Sequence, residues 1–293
     1  MMLVRGLSRR SAPRAAYALA GVLLLATANP AFAHHLEKHF TVASHPIVTI
    51  HNPSGTITVK SWPKQEIAVS ADHLSEKVEV EAEQNGNRVD LITHVISESA
   101  SPADLEANYE VTVPEDAELQ IHNDSGAVAI TDVLGDMAVD TVAAGIQLED
   151  TAGYLTIKTV GGSFDCFRCG GRIEAQSISG NLRIFENRSS NVRFQTSTGN
   201  IRFEGDFLPS GTYSLKNYSG TIEVRFSPQD SFDLHATSLY GKVINEATPL
   251  KPPTHPARQS PPFAKSLLGT FNAGHAKVEM TSFSGTISIR KRD

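Results

Sequence analysis

Cys166 and Cys169 are the only cysteines of the chain and form its single C-x-x-C. Three chemistries use that spacing. A local disulfide or an inert thiol pair needs only a turn between the two residues and, if bridged, an oxidising compartment. Thiol–disulfide exchange needs a helix N-terminus to lower one thiol pKa, and this stretch reads as strand and turn. A zinc site needs two further ligands, and no second C-x-x-C exists to supply them. The local pair is the expectation, and no metal is assigned to it.

His34, His35 and His39 form a second group. In a chain beginning at His34, amine and ring together would chelate copper; a frayed polar terminus is the simpler reading and is preferred. His51 and His122 occupy the same place in a repeat described below, but about 70 residues separate them, so no shared metal is assigned. Glycan chemistry would need carboxylates or a basic Arg or Lys clustered on one face. The candidates are Asp165, Glu174, Arg183, Arg193 and Arg202, whose spacing instead pairs acids with bases. Trp62 is a lone aromatic, better suited to packing than to stacking on sugar. The expectation is a protein without catalytic residues or cofactor.

One short pattern positions these residues. Leu119-Gln-Ile121-His-Asn123-Asp-Ser125-Gly126-Ala-Val128-Ala-Ile130 states it most clearly. Counting Leu119 as position 0, apolar residues fall at 0, 2, 9 and 11, a small polar residue at 4, and Ser-Gly at 6 and 7. The frame restarts at Met137, Leu155, Ile173, Val192 and Tyr213, and matches again at Val48, Leu234 and Val278. A period of 18 to 21 residues with fixed apolar columns is the signature of a solenoid.

Side chains alternate along a strand, so even positions 0 and 2 share an interior with odd positions 9 and 11 only if the chain turns between them. Ser-Gly supplies the turn chemistry, with glycines at Gly55, Gly126, Gly162, Gly180, Gly199, Gly220 and Gly285. A second mark precedes each coil, at Gly135, Gly153, Gly171, Ser190 and Gly211. The expected fold is therefore all-β, a parallel β-solenoid with two short strands per coil, right-handed by the usual preference of parallel crossovers.

The outward columns refine this. Position 10 reads Asp165, Arg183, Arg202, Glu223, and position 1 sets Glu174 beside Arg193, pairings that favour a parallel register. Position 4 holds Asn123, Thr141, Thr159, Ser177, Thr196 and Asn217, a hydrogen-bonding ladder at a corner. Position 5 holds Val142, Val160, Ile178, Tyr218 and, further on, Leu239 and Phe283. Exposed, it is an apolar stripe and a binding edge. Buried, it is a fifth core column with the corner at positions 3 to 4, and burial is the preferred reading.

Residues 34–118, with the first copy of the repeat, are expected to form an amino-terminal β cap, because an uncovered terminal coil exposes an open sheet edge. Residues 119–293 carry the other repeats. Six prolines between Ala247 and Phe263 suggest a surface loop or flap over about 246–274, inserted between the last two coils. Met1 to Ala33 has the basic start, apolar run and Ala31-Phe-Ala33 cleavage site of a signal peptide. Its removal takes four arginines and moves the net charge from −6 to −10, a poor field for nucleic acid or an anionic membrane. No later apolar run approaches the ~20 residues of a membrane-spanning helix.

The recurring V-x-I-x-N/T-x-S-G-x-I-x-V, the preceding Tyr109-Glu-Val-Thr-Val-Pro114 and the export signal resemble a bacterial family of adhesin-like β-strand-repeat proteins, related to head domains of autotransporter adhesins. The resemblance runs from about His45 to Arg290 and rests on structural repeats, which specify fold better than function. It implies an exported, non-enzymatic envelope protein, periplasmic or extracellular, that binds a polymer, a surface or a protein partner. Envelope-stress sensing or signalling through a partner is the alternative, and a carbohydrate-active enzyme on a β-helix is the third reading.

Overall fold

Apolar residues at every second position, interrupted by Ser, Gly and Asn, dictate strands and corners and leave little else. The computed structural model describes residues 34–247, 250–252, 261 and 263–292. The signal-peptide reading of Met1 to Ala33 lies outside the described residues, as do Pro249, Pro253, Pro256 and Pro262. Among the described residues the only helix is the 3-10 turn Pro102–Leu105, and no helix is long and apolar enough to cross a membrane. The chain is all-β.

In chain order the first strands are β1 (His34–Thr41), β2 (Ile47–Trp62), β3 (Glu66–His73), β4 (Val78–Asn85), β5 (Arg88–Val95) and β6 (Ala107–Pro114). The central run follows as β7 (Glu118–Thr131), β8 (Met137–Thr141), β9 (Gly145–Glu149), β10 (Tyr154–Thr159), β11 (Phe164–Phe167), β12 (Gly170–Ser177), β13 (Leu182–Thr196), β14 (Ile201–Gly205), β15 (Thr212–Asn217) and β16 (Thr221–Phe226). The chain closes with β17 (Phe232–Ser238), β18 (Lys242–Asn245), β19 (Lys265–Phe271), β20 (Ala276–Ser282) and β21 (Thr286–Lys291).

Two ladders run side by side. In the first, β2, β7, β8, β10, β12, β13, β15, β20 and β17 pair in parallel, each strand with the next, and positions 0 to 4 stay in register, as in Met137, Leu155, Ile173 and Val192. In the second, β2, β7, β9, β11, β13, β14, β16, β21 and β18 do the same for positions 9 to 11. The four apolar columns meet between the ladders: Leu155, Ile157, Phe164 and Cys166 are each fully buried. Aromatic residues fill the interior toward the carboxy-terminal end, where Phe207, Tyr213, Phe226, Phe232 and Phe271 pack ring against ring.

Both ends depart from a simple repeat. The Val48 copy stacks directly on the Leu119 copy, and β5 and β6 supply the two halves of the next layer out. Antiparallel strands then cover them, β4 on β5, β3 on β6 and β1 on β3. At the other end the order along the stack differs from the order in sequence. β20 lies between β15 and β17, so the last copy, at Val278, slides between the copies at Tyr213 and Leu234. The segment over 246–274 is correspondingly not only loop: β19 runs antiparallel along β17 and covers that end of the first ladder.

Three other expectations are corrected. His34 to Phe40 is not a frayed terminus, because β1 pairs with β3 over eight residues and Leu36 and Phe40 pack against the core. Position 5 is exposed, not buried: Ile178 is 57% and Tyr218 56% accessible. The reason is alternation. Thr141, Thr159, Thr196 and Asn217 at position 4 turn inward and are buried, so the next residue must point out. Finally, Arg202 and Glu174 lie beside the neighbours expected of them, but their ion pairs are made within their own strands, with Glu204 and Arg172.

Candidate functional site

In most coils the first corner is held by the position-4 side chain. The hydroxyl of Thr159 accepts the N–H of Gly162 at 2.9 Å, Ser177 that of Gly180 at 2.7 Å, Thr196 that of Gly199 at 3.1 Å and Ser282 that of Gly285 at 2.8 Å. The same side chains reach the neighbouring coil: Thr196 Oγ1 donates to the Gly180 carbonyl at 3.3 Å and Asn123 Nδ2 to that of Gly55 at 3.2 Å. A short polar residue in this buried place thus satisfies backbone groups that a turn would otherwise leave unpaired.

The glycines of this corner answer to two different constraints. Gly55, Gly126 and Gly220 have left-handed φ values of 118, 103 and 97°. Gly162, Gly180, Gly199 and Gly285 do not, and are required by close approach instead: a Cβ on Gly180 would lie 1.9 Å from the carbonyl oxygen of Gly162.

Outside this corner runs the apolar row. Val142, Val160 and Ile178 follow one another coil by coil; Ser197 interrupts; Tyr218 and Phe283 continue. Tyr218 and Phe283 stack with ring centres 4.4 Å apart, Tyr240 meets Phe283 edge-on at 5.0 Å, and Phe263 stacks on Tyr240 at 5.8 Å. The row is flanked by small residues, Ala143, Gly161, Ser179, Thr198, Ser219 and Ser284 at position 6, so its side chains stand proud of their surroundings.

The second corner is of another kind. Asp132, Asp150, Arg168 and Glu186, all at position 13, adopt left-handed φ values of 59, 49, 53 and 50°. Sequence reasoning found only the small residues that follow, and missed this column because it mixes acids with an arginine and holds none of the glycines that mark a left-handed turn. Arg168 donates to Asp150 at 2.7 Å and to Glu149 at 2.5 Å, while Arg188 reaches Asp150 at 3.2 Å. The hydrogen bonds from Arg168 hold the Asp150 carboxyl below its usual range. Cys166 and Cys169 are joined by a disulfide across the same corner, and both are fully buried. In the coil that starts at Tyr213 the corner holds Asp230, buried, which accepts the N–H groups of Ser227 at 2.8 Å and Phe207 at 3.0 Å. Burial pushes this carboxyl up to about 6.

The residues named for glycan chemistry do not converge. Asp165, Arg183 and Arg202 face outward from the second ladder, Glu174 and Arg193 from the first. Arg183 makes a two-pronged pair with Asp165, and Glu223 is held by Arg225 and Arg290. Trp62 donates its Nε1 proton to the Glu66 carbonyl at 2.7 Å, with Lys64 4.3 Å above its ring. It is packed into the turn between β2 and β3.

His51 and His122 do meet. They are register partners in β2 and β7, with ring centres 5.9 Å apart, and His122 Nε2 is 3.1 Å from Asp124 Oδ1. They line an open depression of about 590 Å³ on the first ladder, with Asp140 and Lys158 beyond them, where the small side chain of Ala138 lowers the surface. Among the described residues no three His, Cys, Asp or Glu side chains are gathered closely enough to hold a metal ion as they stand.

A family model described as Toastrack DUF4097 matches residues 45–290. Solved structures similar to the chain include a "putative adhesin" from Bacteroides fragilis, 12% identical, covering 88% of this chain and 97% of that one with a TM-score of 0.37. Another is a "putative adhesin" from Parabacteroides merdae, 9% identical over 87% and 96% of the two chains, with a TM-score of 0.33. A "putative cell adhesion protein" from Clostridium sporogenes is 9% identical over 88% of this chain and 100% of that one, with a TM-score of 0.25. No curated protein matches the chain.

Proposed function

Because this chain belongs to the Toastrack family DUF4097, we propose that it works as an exported, non-enzymatic envelope protein, an adhesin-like or scaffolding β-solenoid that binds an extended polymer, surface or protein partner along its first corner. The observation that carries this reading is the exposed row Val142, Val160, Ile178, Tyr218 and Phe283. Five large apolar side chains in one line are more than the scattered exposure usual for a monomer's surface. The coil gains nothing by them internally, since its core is filled by positions 0, 2, 9 and 11. Successive side chains stand about 4.8 Å apart, the strand spacing, which offers a ligand a long track rather than a pocket. The parallel pairing of successive copies supports the solenoid reading, and the placing of Asp165 and Glu174 on opposite ladders supports a reading without glycan hydrolysis.

The test is binding of the purified chain to an array of envelope glycans and host matrix polymers, with Ile178→Ser and Tyr218→Ser as site variants. Specific binding that both variants lose while keeping the parent melting temperature is the expected result. Failure of the parent chain to bind any polymer or envelope protein would remove the reading. Release of shorter glycans would replace it with an enzyme.

A further inference from the structure

We propose that His34 and His73 are the nucleus of a transition-metal site, for Zn²⁺ or Cu²⁺, at the amino-terminal edge of the sheet. The two residues are register partners in the antiparallel pair β1 and β3, and their rings lie face to face with centres 4.8 Å apart and planes 8° from parallel. They stand on the wall of a depression of about 370 Å³ that Glu76 and Glu79 also line. The site is independent of the polymer-binding reading, which rests on the first corner of the central coils.

The tautomer of His73 is fixed by its surroundings. Its Nδ1 lies 2.9 Å from the carbonyl oxygen of Ser75, which only accepts, so Nδ1 carries the proton and Nε2 presents its lone pair. A histidine whose second nitrogen is hydrogen-bonded to a backbone carbonyl is the arrangement that metal-ligating histidines adopt, because it fixes the ring and raises the basicity of the ligating nitrogen.

The spacing also suits one shared ion. With metal–nitrogen distances of about 2.0–2.1 Å, two imidazoles on adjacent positions of a metal have ring centres roughly 4.5–5 Å apart. The centres are already at that separation, and only the tilt of the planes must change. His34 is exposed, at the start of its strand, and turns without disturbing the core. Two imidazoles with carboxylates nearby favour Zn²⁺ or Cu²⁺ over Mg²⁺ or Ca²⁺, which take oxygen ligands. Glu76 and Glu79 line the same depression, and water fills the remaining positions of the shell. The other pair, His51 and His122, has its ring centres 5.9 Å apart, beyond that separation, and serves as the internal control.

Titration of the purified chain with Zn²⁺ and with Cu²⁺, followed by calorimetry, tests the site, and copper paramagnetic resonance reads the number of ligating nitrogens. The expected result is one equivalent bound, two imidazole nitrogens in the copper spectrum, and at least a tenfold loss of affinity in both His34→Gln and His73→Gln, with His122→Gln unchanged. His34→Gln changes an exposed residue at the start of its strand, so its loss of affinity is not ascribed to unfolding, and melting curves of the metal-free variants check this. Unchanged affinity in His34→Gln or His73→Gln overturns the proposal, as does an equal loss in His122→Gln or binding only at millimolar metal. Variants of Ile178 and Tyr218 are expected to keep the metal, which separates this result from the fate of the polymer-binding reading.

Discussion

At the first corner of a coil, Gly180 sits where no side chain fits; at the second, Asp132, Asp150, Arg168 and Glu186 hold left-handed backbone while carrying charged side chains. The first corner is crowded along the stack, since each glycine lies under the carbonyl of the coil before it. The second is open to the side at position 13 and crowded only three residues later, where a Cβ on Gly171 would lie 2.1 Å from the carbonyl oxygen of Gly153. Crowding selects glycine in this column at every coil but the one holding Ala144, whereas an open bend accepts many residues at a modest backbone cost. That difference makes the first corner uniform enough to carry an apolar row broken only at Ser197 between Val142 and Phe283, and leaves the second to ion pairs, the disulfide and Asp230.

The comparison is broken most directly at Gly180. Gly180→Ala puts a Cβ against backbone of the adjoining coil, which cannot swing aside, and is expected to cost about 3 kcal/mol, or roughly 6–12 °C in melting temperature for a chain of this size. Denaturant unfolding of the variant measures it, and a loss near zero would mean that the coils are not packed at this distance. Next in size is the disulfide of the second corner. Closing a loop of four residues stabilises by about 2 kcal/mol on the chain-entropy account. Melting with and without reductant is expected to differ accordingly, with Cys166→Ala/Cys169→Ala insensitive to reductant.

A pH profile sharpens the comparison further, because only the second corner holds a strongly perturbed buried acid. The folded Asp230 titrates at about 6, above the ~3.9 of an unfolded aspartate. Between those values the native state binds more protons than the unfolded one, so the contribution of Asp230 to stability is complete below about pH 4 and is lost as pH rises through about 6. Asp230→Asn is expected to flatten that part of the stability profile. A profile equally steep in the variant would assign the slope to other groups.

The core was legible in the residues themselves. Positions 0, 2, 9 and 11 repeat apolar types, and Leu155, Ile157, Phe164 and Cys166 lie buried where that repetition places them. Position 5 was not, because Val160 and Ile178 have the same residue types as core positions, and only the inward turn of Thr159 and Ser177 decides which way they point. The order of the last coils was hidden for a related reason. The copies at Tyr213, Leu234 and Val278 offer each other similar edges, and nothing local in them says that β20 comes between β15 and β17. His73 lay outside every repeat, so its meeting with His34 depends on an antiparallel pairing that neither segment announces.

The smallest effect separates backbone bending from side-chain pairing within the second corner. Glu186 has φ 50° and a side chain that is two-thirds exposed, with only a 3.9 Å approach to Arg168. Glu186→Gly removes a left-handed backbone penalty of about 1–2 kcal/mol and loses roughly 0.5–1 kcal/mol to the greater freedom of glycine in the unfolded chain. A net gain of up to about 1 kcal/mol is expected. Asp150 has nearly the same φ, 49°, but its carboxylate accepts from Arg168 at 2.7 Å and Arg188 at 3.2 Å, so Asp150→Gly is expected to lower stability, less so at high salt as the ion pairs are screened. Thermal melts of the two variants should therefore move in opposite directions. Movement in the same direction would mean that the corner selects its residues by backbone conformation alone, and that the ion pairs of Arg168 decorate a bend they do not help to hold.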